Sequence, residues 1–209
     1  MSSVKETAQS YWDSRSELFN NYYERPSLFD GIFRRGIYER VAVAIKACRE
    51  LDRPTILDVG SGPGANSVSM IKNTSTVKLV GIDFSPHMIE MATAKAEAAG
   101  VARKCEFILG DVMTHDFEGI KFDFSMGLGL FDYVQDAPAL IRKIADLTKS
   151  SFVISWPEDG VRMALRRRRY TCPLFHYSVA DIKELHAQAG ISRLELIKIG
   201  GGWATIARK

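Results

Sequence analysis

The stretch Thr55-Ile-Leu-Asp-Val-Gly-Ser-Gly-Pro-Gly-Ala-Asn66 constrains the fold more than any other part of the chain. An apolar run there breaks abruptly into a glycine-rich turn, so it reads as a buried strand that delivers a loop to a ligand. Gly60, Gly62 and Gly64 tolerate positive φ and carry no side chain, which lets backbone amides approach a bound molecule. From Ala65 onward the residues read as helix. Strand, glycine turn and helix N-terminus together make a site for an adenosine-containing or anionic cofactor. The plainer alternative is a strand-to-helix connection without a ligand, because short motifs have many false positives.

The flanking elements extend this unit. Lys5 to Tyr23 reads as an amphipathic helix with Tyr11, Trp12, Phe19, Tyr22 and Tyr23. Leu28 to Cys48 is a longer one, with Val41, Ala44 and Ile45 at helical spacing. Both precede the first strand and can act as a lid. Val77 to Asp83 is a second strand ending in a carboxylate, followed by Ser85 as N-cap and Pro86 at the first helical position. Lys104 to Gly110 and Phe122 to Gly127 are further strands. Asp136 and Pro138 start a helix that presents Leu140, Ile141, Ile144 and Leu147 on one face, and Ser151 to Trp156 is a fifth strand. The β-α alternation implies a doubly wound parallel sheet. Ser178-Val-Ala-Asp181 opens a last helix, ending at Gly190. The runs Ser192–Ile199 and Trp203–Ala207, joined by Gly200-Gly-Gly202, form an antiparallel hairpin.

Length and composition narrow the function classes. The chain of 209 residues, 46% hydrophobic and 25% charged, suits one α/β domain with added helical material. No apolar stretch approaches the ~18 residues of a membrane span, and the polar start is not a signal peptide. Cys48, Cys105 and Cys172 are far apart and suggest neither a disulfide framework nor a metal site; they fit a reducing, cytoplasmic compartment. The net charge of +3 is concentrated in Arg162 and Arg166-Arg-Arg-Arg169, without which the chain is slightly acidic. A nucleic-acid partner is therefore not expected. The cluster is either a solvated helix face or a clamp for an anionic ligand.

Gly60-Ser-Gly-Pro-Gly-Ala65 satisfies the relaxed dinucleotide pattern, and Asp83 at the end of the second strand can serve the ribose of a nicotinamide cofactor equally well. Asp58 points elsewhere, because a dinucleotide fold keeps that strand end apolar. Leu57-Asp58-Val59-Gly60-Ser61-Gly62 resembles the first motif of class I S-adenosylmethionine (SAM) dependent methyltransferases, and Asp83 and Gly110-Asp111-Val112 follow at the matching strand ends. The resemblance covers about Ile56 to Lys209 and, loosely, the N-terminal arm. It implies a Rossmann-like, mostly parallel seven-stranded sheet with the terminal hairpin. It also implies that SAM is the cofactor, with Asp58, Gly60, Ser61 and Gly62 around the methionine moiety. Asp83 and Phe84 would then take the ribose and adenine edge, Asp111, Val112 and Met88 the adenine, and Gly127 and Leu128 the strand end beside the sulfonium. Tyr11 stands where related enzymes place an arm residue over the cofactor. The aromatic arm and plain core loosely resemble the magnesium-protoporphyrin methyltransferase group.

Methyl transfer from a sulfonium needs chiefly a dry cavity that aligns the acceptor, and positioning contributes about 7–11 kcal/mol. A hydroxyl acceptor gains a further ~10²–10⁴-fold from a general base. His176 is the preferred candidate for that base, because it lies between the fifth strand and the terminal helix; Asp132 is the second, and Tyr133, His115 and Tyr177 are the others. His87 and His186 read as helix-surface residues, and no metal cluster is expected. The chain divides into an arm or lid (1–50), a cofactor core (55–156), an acceptor-side insertion and helix (157–190) and a hairpin (191–209). The expected activity is O-methylation of a small, anionic acceptor, free or tethered to a carrier protein, by a monomer or homodimer. The alternatives are a nicotinamide oxidoreductase, an RNA or protein methyltransferase, and a SAM-binding accessory subunit without activity. The first is disfavoured because no Tyr-x-x-x-Lys pair occurs in the chain.

Overall fold

The computed structural model describes residues 30–160, 163–164, 167–168 and 172–209. The helix expected over Lys5 to Tyr23, with Tyr11, lies outside these residues, as do Arg162, Arg166 and Arg169. Helix α1 (Asp30–Cys48) leads into β1 (Thr55–Val59), α2 (Ala65–Asn73), β2 (Lys78–Asp83), α3 (Pro86–Ala98) and β3 (Cys105–Leu109). Then follow β4 (Phe122–Gly127), α4 (Ala137–Leu147), β5 (Thr148–Pro157), α5 (Val179–Gln188), β6 (Leu194–Ile199) and β7 (Gly202–Arg208).

The seven strands form one sheet in the order β3-β2-β1-β4-β5-β7-β6. Strands β1 to β5 run parallel, and β7 lies antiparallel between β5 and β6. The expected Rossmann-like sheet with its terminal hairpin is thus present. Its order reverses between β1 and β4, and the crevice beyond the carboxyl ends of these strands is where such sheets bind ligands.

Local chemistry explains the helix ends. Ser85 accepts from the Met88 amide at 3.3 Å with Pro86 at the first turn. Asp136 caps α4 through Ala139 N, and Ser178 and Asp181 complete a reciprocal capping box at α5. Strand β5 begins three residues earlier than its apolar run, because Leu147 passes directly into Thr148 without a loop. The Thr148 hydroxyl lies 2.6 Å from the Ile144 carbonyl and 2.7 Å from Ser125 Oγ, so this polar residue sits buried at the junction with β4.

Alternating residues divide the core into two layers. Leu57, Val59, Val80 and Ile82 pack with Leu140, Ile141 and Ile144 of α4 and Ile182 of α5. Ile56, Leu79, Phe124 and Met126 pack with Val41, Ala44 and Ala47 of α1 and with Met70 and Ile71 of α2. Asp58 therefore faces the α1 and α2 layer. One expectation is corrected here. His186 is fully buried, not on a helix surface: it lies one turn after Ile182 on the inner face of α5, with its Nδ1 donating to the Ile182 carbonyl at 2.7 Å. Its Nε2 is 3.4 Å from Thr205 Oγ1 and its ring centroid 5.4 Å from that of Trp156. Burial pulls its pKa below the usual histidine value. His87 is partly exposed, 3.6 Å from Glu90. Among the described residues no helix is long and apolar enough to cross a membrane.

Candidate active site

A cavity of about 410 Å³ opens at the point where the strand order reverses, within the range of small-molecule sites. Its first wall is the loop after β1, with Gly60, Ser61, Gly62, Pro63, Ala65 and Asn66. The three loop glycines hold φ of +67°, +52° and +74°, the conformation expected of them. The second wall comes from the ends of β2 and β3, with Asp83, Phe84, Met88, Asp111, Val112 and Met113. The third is the segment after β4, with Leu128, Gly129, Leu130, Tyr133, Val134, Gln135 and Asp136, and Arg40 closes the space from α1.

Asp58 stands under the floor of this cavity, 1% exposed. One carboxyl oxygen accepts a 2.6 Å hydrogen bond from Ser67 Oγ on α2. The other, Oδ1, is buried without a hydrogen-bond partner among the described residues, and so is Ser61 Oγ. Two orphaned polar atoms, one at the end of β1 and one in the glycine loop that follows it, are costly unless a ligand meets them. Burial pushes the Asp58 carboxyl up to about 7; Ser67 opposes that shift, nearby Asp83 adds to it, and Arg40 counters it.

The Asp83 carboxylate is held in a fixed orientation. Its Oδ2 accepts from Gly62 N at 2.9 Å and its Oδ1 from Ser85 N at 3.0 Å. A diol at this wall therefore meets a carboxylate already tied to the glycine loop. Asp111 opens the turn after β3, with Oδ1 accepting from Met113 N at 3.1 Å. This carboxylate and Phe84, Met88 and Val112 give the second wall an aromatic and aliphatic surface rimmed by two acids, suited to a flat base and its ribose.

Of the residues singled out in the sequence, Gly60, Ser61, Gly62, Asp83, Phe84, Met88, Asp111, Val112 and Leu128 line the cavity together. Gly127 lies within β4 behind the wall, where an added Cβ would meet the Phe131 ring at 3.4 Å. Asp132 is buried in the 3-10 turn Phe131–Tyr133, next to the wall residue Tyr133. His176 is not in the cavity wall. Its side chain is 39% exposed, with Nδ1 2.5 Å from Arg167 Nη2 and Nε2 3.7 Å from Asp159 Oδ2. Tyr177 donates to the Val134 carbonyl at 3.2 Å, and burial together with Asp132 pushes its phenol up to about 12. His115 stacks edge-on against Phe117 in a separate surface hollow. Arg167 and Arg168 are exposed.

Arg40 was not marked by any motif, and it reaches the cavity through tertiary packing. A Cβ on Gly129 would stand 2.5 Å from Arg40 Nη1, so the guanidinium occupies the space a side chain there would need. Gly129 also holds φ of +80°. That backbone conformation favours glycine at 129, whereas the guanidinium, at the end of a flexible side chain, can shift for a Cβ.

Comparisons with known proteins show the family and the fold. A family model described as a methyltransferase domain matches residues 56–151. The chain is 31% identical to the carboxy-S-adenosyl-L-methionine synthase of Nautilia profundicola over 178 residues, 83% of this chain and 72% of that protein. It is 31% identical to the demethylmenaquinone methyltransferase of Mycolicibacterium paratuberculosis over 146 residues, 65% of this chain and 60% of that one. The solved magnesium protoporphyrin IX methyltransferase of Synechocystis PCC 6803 with bound SAM has the same fold, with a TM-score of 0.76 at 18% identity over 100% of this chain and 97% of the other.

Proposed function

The chain belongs to the class I SAM-dependent methyltransferases, and within that family we propose that it transfers a methyl group to oxygen on a small, negatively charged acceptor. SAM is the cofactor, and it supplies an electrophilic methyl group on a sulfonium. The observation that carries the reading is the single cavity that joins the glycine loop, Asp83 and Asp111 to the apolar residues after β4. One end offers hydrogen-bonding groups for a nucleoside and an amino acid. The other offers Leu128, Leu130, Val134 and Leu140, which exclude water from a reacting centre. Small acceptors are also named in several relatives, among them the demethylmenaquinone enzyme and the ajmaline N-methyltransferase of Rauvolfia serpentina.

In this reading Gly60, Ser61 and Gly62 hold the amino-acid end of the cofactor, Asp83 and Phe84 the ribose, and Asp111, Val112 and Met88 the base. Asp58 and Ser61 carry the orphaned buried oxygens that this end of a ligand would satisfy. Leu128 and the turn Phe131–Tyr133 border the acceptor, and holding it in line with the methyl group does most of the work. Asp132 is the proposed proton acceptor for a hydroxyl, because it lies in the turn that carries Tyr133 onto the wall. His176 is the second candidate; motion of the segment before α5 would have to bring it inward. The Arg-rich segment between β5 and α5 is the proposed source of attraction for an anionic acceptor.

The test is incubation of the protein with methyl-deuterated SAM and a metabolite extract of its source, followed by mass spectrometry. A labelled product in the small-molecule fraction that carries a methyl ether or ester supports the proposal. Label confined to protein or nucleic acid, or on nitrogen or carbon, would replace it.

A further inference from the structure

We propose that Tyr177 is a positioning residue that fixes the acceptor end of the cavity, and through it the choice of acceptor. The proposal rests on the acceptor reading above and adds to it a residue that lies outside the cavity wall. At that end the wall includes Leu130, Tyr133 and Val134. The short 3-10 turn Phe131–Tyr133 carries them, and Val134 after it is extended. A turn of this length leaves its last carbonyls without partners of its own. They are met from one short stretch of chain. The Asp132 carbonyl accepts from Phe175 N at 2.8 Å, and the Tyr177 hydroxyl lies 3.2 Å from the Val134 carbonyl and 3.4 Å from that of Phe131. The one phenolic proton can go to either carbonyl, so the hydroxyl spans both ends of the turn. Burial and nearby Asp132 push the phenol up to about 12, which keeps it a donor at neutral pH.

Tyr177 is itself referenced to the sheet. Its amide donates to the carbonyl of Pro157, the last residue of β5, at 3.0 Å. Its ring stands edge-on to that of Trp156, with centroids 5.0 Å apart. Trp156 is buried, donates from Nε1 to Thr205 Oγ1 on β7 at 3.0 Å, and packs on the Phe131 ring at 4.5 Å. The segment that carries Arg167 and Arg168 thus leaves β5 at Pro157 and is tied back to it by Tyr177, beside the acceptor wall. Without the hydroxyl two carbonyls of the wall turn lose their donor, and the turn can shift. A wall that gives aligns its own acceptor less well and admits acceptors of other shapes.

The test is Tyr177→Phe, which removes only the hydroxyl. With methyl-deuterated SAM and a metabolite extract of the source, the main wild-type product should form about tenfold more slowly, and labelled products of other masses should gain share. Calorimetry should find S-adenosylhomocysteine bound as tightly as by the wild type. Hydrogen exchange of amides 130–136 should quicken about tenfold while that of 55–66 stays the same. Thr205→Val, which unties Trp156, should give the same pattern more weakly, and it carries the test if Tyr177→Phe loses its cooperative melt. An unchanged rate and product spectrum would overturn the proposal. Slowing of all products in equal proportion, or weaker binding of S-adenosylhomocysteine, would also overturn it, because either marks a merely structural residue. In those cases the acceptor reading still stands. If the wild type itself labels no small molecule, that reading fails and takes the proposal with it.

Discussion

Ser67 Oγ, in the first turn of α2, lies 2.6 Å from Asp58 Oδ2 at the end of β1 and donates a hydrogen bond to it, while Asp58 Oδ1 stays buried without a partner among the described residues. The fold thus keeps one carboxyl half satisfied beneath the glycine loop, and its charge state sets a cost. Its folded pKa of about 7 lies above the ordinary 3.8, so the native state retains a proton that the unfolded chain releases. The stability this proton contributes is full below about pH 4 and is lost as pH rises through 7. The ligand-free protein should therefore lose about 3 kcal/mol more than Asp58→Asn does between pH 5 and 8. Urea unfolding of both proteins at the two pH values checks this; parallel pH dependence would mean that Asp58 titrates normally.

Asp83 links the glycine loop to the start of α3 through Gly62 N and Ser85 N. Asp83→Ala should weaken binding of S-adenosylhomocysteine by about 1–3 kcal/mol, since two loop amides and the ligand lose their acceptor together. Asp83→Asn keeps one acceptor oxygen and should lose less. Calorimetry that finds the two variants equal to wild type would place the ribose elsewhere.

The choice of base separates Asp132 from His176. Asp132→Asn should lower kcat by about 10²–10⁴-fold, with little change in SAM affinity. His176→Gln should leave kcat near wild type, because its ring is engaged with Arg167 and Asp159 at the surface. The reverse pattern would assign the proton to His176 and require the segment before α5 to move inward.

How much of this was readable in advance depended on whether local pattern or tertiary contact decided the matter. Asp58, Asp83 and Asp111 follow apolar runs, so strand ends and carboxylates declared themselves together, and the apolar face of α4 was plain from Leu140, Ile141, Ile144 and Leu147. Arg40 was not readable: it lies in a helix before the first strand, and tertiary packing brings it to the cavity wall beside Gly129. His186 reads as polar at a helix position, but its partners Ile182, Trp156 and Thr205 come from three elements. The early start of β5 was hidden because Thr148-Lys-Ser-Ser151 is polar. Its strand character comes from pairing, with Thr148 opposite Phe122 and a register shift before Phe124.

The Arg-rich segment yields a kinetic prediction. Changing Arg166 to Arg169 to Gln should raise the KM for an anionic acceptor at low ionic strength while SAM affinity stays the same, and the defect should shrink as salt screens the wild-type attraction. A KM unaffected at low salt would return the cluster to a solvated surface.

The most direct test of the account is the competition between cofactors for the cavity at the β1–β4 switch point, read as thermal stability of the wild-type protein with S-adenosylhomocysteine and with NAD. A ligand at 100 times its dissociation constant adds about 2.7 kcal/mol. S-adenosylhomocysteine should raise the melting temperature clearly, Asp83→Ala should reduce that rise, and NAD should leave the melt unchanged. A rise with NAD and none with S-adenosylhomocysteine would contradict the account.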